Sequence, residues 1–177
     1  ESWSKSLHDG ACTWVGLNPA QLQTPYTELL EILDELKLSS GDRVIDLGAG
    51  YGRMGVLMGH LFKDCVFEGY EMASERVVVG NEVFKRLEIE NAQLFAQDIA
   101  SDDFILPDAK CYFIYDFGFL SDMKKLLTKL DKKADELNHL CVLARGRGIN
   151  SLIKEAAPWL TIYSRPIGNS TLYTYRG

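Results

Sequence analysis

Several things are missing from this 177-residue chain, and each absence removes a class of function. No apolar run approaches the ~18 residues that a membrane-spanning helix needs, and no signal-peptide pattern is visible. No repeat, low-complexity tract or linker divides the sequence. The four cysteines, Cys12, Cys65, Cys111 and Cys141, contain no CxxC pair, so neither a zinc site nor a dithiol redox centre is expected. Three of them open apolar runs and read as small buried hydrophobes in a reducing compartment, with a cytoplasmic location as the expectation. Basic charge is not in excess either. Nineteen Lys and Arg face 25 Asp and Glu, for a net charge of −6. A binder of duplex DNA or RNA would show a basic stripe instead.

What is present is ordinary globular material, 46% hydrophobic and 25% charged, in a chain long enough for one domain that buries roughly 70% of its unfolded surface. Residues 1–23 lack periodicity and mix Trp3, Trp14, His8, Gly10, Gly16 and Pro19, which predicts an irregular arm packed on the body. Thr24-Pro25 opens a helix to about Lys37, with Thr24 as cap, Pro25 at the first helical position and Glu28 in the positive first turn. Strands are expected at 43–47, 65–71, 91–97, 111–115 and 139–144. Helices are expected from Met54 to Phe62, from a Ser74 cap to Leu87, and from Ser121 to Leu137. Asn150 is placed as the cap of a helix that Pro158 limits. Two last strands, Leu160–Ser164 and Thr171–Tyr175, flank Arg165-Pro166-Ile167-Gly168-Asn169. Near-continuous apolar strands alternating with helices predict a parallel sheet covered on both faces. The short final connection forces the last two strands to be antiparallel to each other.

The organising stretch is Val44-Ile45-Asp46-Leu47-Gly48-Ala49-Gly50-Tyr51-Gly52-Arg53, a strand, a glycine turn and a helix start. Glycines let backbone approach a ligand and take positive φ, and the helix start aims unpaired N–H groups at that ligand. Two readings fit the glycines. Gly50-Tyr51-Gly52-Arg53-Met54-Gly55 matches the dinucleotide GxGxxG. The longer pattern Asp46-Leu47-Gly48-Ala49-Gly50-Tyr51-Gly52 resembles the D/E-x-G-x-G-x-G of class I S-adenosylmethionine (SAM)-dependent methyltransferases. Asp46 separates them: a carboxylate inside the strand repels a pyrophosphate but suits a ligand carrying sulfonium and ammonium charges. Glu71 ends the second strand, where an acid accepts from both ribose hydroxyls. Its rival Glu68 lies three residues back and faces the other way. Gln97-Asp98-Ile99 ends the third strand, and the alternative for Asp98 is that it caps the following turn.

The resemblance runs from about Thr24 to the end. It implies a Rossmann-like three-layer α/β sandwich over residues 24–177, with a seven-stranded, mostly parallel sheet and an antiparallel last strand. The arm of residues 1–23 would then pack over the cofactor and substrate site. SAM is the implied cofactor. The implied binding residues are Asp46, Gly48, Gly50 and Gly52 at the turn, Glu71 and Met72 at the ribose, and Asp98 and Ile99 at the adenine. Thr24-Pro25, DLGAGYGR and GYEMASER are similar to the seven-stranded protein-lysine methyltransferases, in which a segment before the first helix helps to cover SAM. That gives Gln23, Thr24, Pro25 and Tyr26 a role.

The acceptor end of the site is expected after the fourth strand, at Tyr115-Asp116-Phe117. Asp116 would orient an amine or, alternatively, cap a turn, while Tyr115 and Phe117 would wall an aliphatic stem. The Asn/Asp-Pro-Pro-Tyr motif of base-, glutamine- and adenine-modifying enzymes is absent here. So is the Asp/Asp/Asn cluster of the catechol type, and no metal is expected. The partner implied is a methyl acceptor, a protein lysine or a small molecule. A SAM-binding module without catalysis is the further alternative. Arg145-Gly146-Arg147-Gly148 reads as a solvated loop lining the site, with binding of an anionic substrate as the alternative.

Overall fold

A computed structural model of the chain describes residues 23–137 and 139–176. The expected arm of residues 1–23 therefore lies outside the described residues except for Gln23. In chain order the elements are α1 (Tyr26–Leu36), β1 (Arg43–Leu47), α2 (Arg53–Leu61), β2 (Val66–Glu71), α3 (Ser74–Arg86) and β3 (Ala92–Ala96). They continue as β4 (Cys111–Tyr115), α4 (Leu120–Leu137), β5 (His139–Arg145) and α5 (Arg147–Ala156). A 3-10 turn (Pro158–Leu160), β6 (Ser164–Ile167) and β7 (Ser170–Arg176) complete them.

The seven strands form one sheet in the order β3-β2-β1-β4-β5-β7-β6. β1 to β5 are parallel, and β7 runs antiparallel to β5 and β6. Side chains alternate across this sheet. Val44, Phe67, Leu94, Phe113 and Leu143 pack with α1, α2 and α3 on one face. Ile45, Leu47, Tyr70, Ile114, Val142 and Ala144 pack with α4 and α5 on the other. This is the expected three-layer Rossmann-like arrangement. β1 sends its chain to β2 on one side and is joined by β4 on the other. The carboxyl ends of β1 and β4 therefore lie at the topological switch point, where ligands of such sheets bind. Among the described residues no helix is long and apolar enough to cross a membrane. Cys65, Cys111 and Cys141 are buried free thiols, raised in pKa chiefly by that burial.

Local expectations fail mostly at helix ends. Pro25, not Thr24, holds the N-cap position of α1, and no side chain caps it. Ala73 precedes α3, and Ser74 is its first residue. Asn150 lies inside α5, where its amide donates to the Ala144 and Gly146 carbonyls and its oxygen accepts from Tyr173 Oη at 2.8 Å. The expected strand at Leu160–Ser164 is mostly the 3-10 turn and its exit. The strand begins at Ser164 and takes in Arg165, Pro166 and Ile167. Pro166 is tolerated there because β6 is an edge strand.

Candidate cofactor and acceptor site

At Asp46 the sheet places a carboxyl between two residues that offer it nothing. Its register partners are Gly69 of β2, which has no side chain, and Phe113 of β4, which has no polar side-chain atom. Asp46 is 6% exposed, and among the described residues no donor reaches it. Burial, and secondarily the negative charge of Glu71, push its carboxyl up to about 8.

Glu71 stands two residues beyond Gly69 on the same face. Its Oε2 accepts from the Gly50 N–H and its Oε1 from the Ala73 N–H, both at 2.9 Å. Arg76 Nη1 lies 3.9 Å from Oε2. The carboxylate thus ties the glycine turn to the start of α3. Glu68, as expected, faces away, accepting from Tyr70 Oη and pairing with Arg43.

The three turn glycines all have positive φ, +95° at Gly48, +57° at Gly50 and +74° at Gly52, but they do different work. A Cβ at Gly48 or Gly50 would meet nothing within 4 Å, whereas one at Gly52 would come within 2.7 Å of the Phe84 ring. The first two border open space suited to a ligand. The third lets α3 close on the turn.

The segment before α1 lies alongside the first turn of α2. Arg53 donates to Gln23 Oε1 at 2.5 Å, and its guanidinium sits 4.0 Å over the Tyr26 ring. Thr24 is buried and Tyr26 is exposed. At the carboxyl end of β5, Glu28 of α1 is buried and paired with Arg145, the last residue of that strand. Glu28 also accepts from the Asn169 N–H, Asn169 Nδ2 and Ser170 Oγ, each at 3.3 Å. Arg145 in turn lies 5.3 Å over the Tyr115 ring. In sequence Glu28 reads only as a first-turn acid. A clue was present: it stands at i and i+4 spacing with Ile32 and Leu36, inside the apolar stripe.

The Tyr115-Asp116-Phe117 group is split by strand alternation. Tyr115 shares the Asp46 face. Asp116 points to the opposite one, where its carboxylate accepts from the Gly148 N–H at 3.0 Å and the Ile149 N–H at 2.7 Å. It caps α5, the alternative reading of that acid. Gly146 is required beside it, because a Cβ there would come within 2.3 Å of the carboxyl. Arg145-Gly146-Arg147-Gly148 is therefore not a solvated loop but a strand end and a helix start. Phe117 is half-buried against the α4–α5 core. Met72 is exposed next to Glu71. Asp98 is exposed and accepts from the Ala100 N–H at 2.9 Å, the turn-capping geometry, while Ile99 is buried in the cluster that holds Tyr70 and Phe104.

No protein-family model matches the sequence, and no curated protein matches it. Solved structures do match in fold. An RNA methyltransferase from Salinibacter ruber in complex with S-adenosyl-L-homocysteine superposes with TM-score 0.64 at 16% identity, covering 86% of this chain and 92% of that one. A SAM-dependent methyltransferase from Aquifex aeolicus gives TM-score 0.57 at 18% identity, covering 90% and 97%. The YcgJ protein from Bacillus subtilis gives 0.52 at 16% identity over 68% of this chain, which spans only 51% of that protein. The fold of this chain is thus the one on which these methyltransferases are built.

Proposed function

We propose that the chain binds S-adenosylmethionine and transfers its methyl group to a lysine side chain of a protein. The observation that carries the cofactor is Asp46, a buried carboxyl with no donor among the described residues, beside Glu71 and next to the open space at Gly48 and Gly50. An acid inside β1 disfavours a pyrophosphate and suits a cation, whereas an acid at the end of β2 serves the ribose of either ligand. The fold neighbours from Salinibacter ruber and Aquifex aeolicus, one holding S-adenosyl-L-homocysteine and the other a SAM-dependent methyltransferase, support the same choice over a dinucleotide.

When bound, the cofactor supplies a methyl group made electrophilic by its sulfonium. The chain's residues do the rest. Asp46 faces positive charge, and Glu71 offers acceptor oxygens for two ribose hydroxyls. Asp98 and Ile99 stand at the adenine end, and Met72 flanks the ribose. Gln23 and Tyr26, held by Arg53, and the buried Thr24 between them cover the site. On the acceptor side Tyr115, over which the Glu28-paired Arg145 lies, walls the stem, while Phe117 packs on the α4–α5 core and supports the turn after β4. Asp116 is a positioning residue, since its oxygens already serve α5. A lysine amine, with a solution pKa near 10.4, must arrive neutral, which a desolvating aromatic wall promotes. Phe119 and Leu120 lie exposed just beyond this wall, where a protein surface can cover them.

The test is transfer of labelled methyl from SAM onto cell lysate. Label in nuclease-resistant, protease-sensitive bands is expected. Label confined to small molecules or to RNA would overturn the lysine acceptor. SAM binding with no label anywhere would overturn catalysis and leave a binding module.

A further inference from the structure

The Asp46 carboxyl has a second consequence, which rests on the SAM reading just given. Its strand neighbours are Gly69 and Phe113, and it is more than nine-tenths buried with no donor among the described residues. An ionised carboxylate in that setting has little solvent and no hydrogen bond among the described residues to stabilise it. The charged groups around it do not help. From β2 it faces Glu71, a like charge whose oxygens each accept one backbone N–H, from Gly50 and from Ala73, beside Arg76 of α3. From β4 the next residue on its face is Tyr115. From β5 the next is Arg145, which is held by Glu28 of α1. From α2 Arg53 is turned to Gln23 and Tyr26. We propose that Asp46 carries a proton while the site is empty and releases it when a cationic cofactor is seated, so that each binding event puts one proton into solution.

The step balances simply. The carboxyl O–H bond breaks, its electron pair stays on Asp46, the proton passes to buffer, and the cofactor's positive charge replaces it as the counterpart of the carboxylate. The buried pair of acids then never carries two uncompensated negative charges. The direction of the pKa shift, upward through burial and then through Glu71, agrees with this geometry.

Calorimetry tests it with the full chain and SAM at pH 6.5. At that pH an α-amino group, with an ordinary pKa near 8, is already protonated and does not obscure the count. Titrations in phosphate and in Tris, whose ionisation heats differ, give the protons released per site. Close to one is expected for the wild type and close to none for Asp46→Asn. The difference between the wild type and Asp46→Asn, in which the amine's contribution cancels, should fall toward zero above pH 9, where the carboxyl is already ionised. An infrared difference spectrum of the wild type should lose a protonated-carboxyl band on SAM addition, so the inference stands or falls even if the variant does not fold. SAM binding with an equal proton count in both proteins, or with no loss of that band, would overturn the inference and leave the cofactor assignment intact. No SAM binding by the wild type would overturn both.

Discussion

At the scale of single residues, the two acids at the turn divide into one that is satisfied and one that is not. Glu71 has backbone partners, and Asp46 has none among the described residues. Stability should follow. The folded pKa of Asp46 is raised above its unfolded value, so the folded state holds the extra proton. Stability is therefore full below about pH 4 and falls as pH rises toward about 8, by up to ~1.4 kcal/mol per pH unit. Asp46→Asn, which cannot ionise, should melt higher than the wild type at pH 8, with the gap closing near pH 4. Thermal melts across that range check it, and an equal gap at both pH values would contradict it. For the cofactor, Glu71→Ala removes hydrogen bonds to a charged acceptor, each worth about 1.5–3 kcal/mol. A loss of SAM affinity of roughly 10- to 100-fold is expected, whereas Glu68→Ala should leave it nearly unchanged. Much of this was legible in sequence, because an acid inside an apolar strand and an acid at a strand end are visible one-dimensionally. That Asp46 would lack a partner was not, since it depends on Gly69 and Phe113 arriving beside it from two other strands.

At the scale of elements, the glycine turn and α1 make separable predictions. Gly48→Ala puts a side chain at the ligand space and a Cβ on a φ of +95°, so SAM binding should suffer most. Gly55→Ala drives a Cβ to 2.5 Å from Phe84 and 2.7 Å from Phe67. Overpacking of that kind costs about 1–3 kcal/mol, and urea unfolding should show it. Glu28→Ala leaves the half-buried Arg145 guanidinium without its partner and frees the β6–β7 turn. Removing one partner of a fully buried pair costs roughly 3–5 kcal/mol, so a smaller loss is expected for this partly buried one, and the same unfolding experiment with Glu28→Gln should recover part of it. Alternation and amphipathic stripes gave away β1 to β5 and α1 to α4 from sequence. The failures cluster where a polar residue serves a distant segment. Asn150 reads as a cap but bridges β5, α5 and β7, and Asp116 reads as a site acid but caps α5. Hydrogen-bonding residues near an element's end look alike in sequence whichever neighbour they serve.

At the scale of the whole molecule, the sheet order gathers acids, glycines and aromatic residues from β1, β2, β4 and β5, together with Glu28 of α1, on one face of one edge. The fold class follows from the alternation of strand and helix, and neighbours at 16–18% identity share it. The acceptor is less legible, because its end of the site depends on which face each residue after β4 takes. One measurement tests the central claim most directly: calorimetric titration of the chain with S-adenosylmethionine and, separately, with NAD. The account predicts saturable binding of SAM, weakened in Glu71→Ala, and no binding of NAD. Saturable binding of NAD with none of SAM would contradict it.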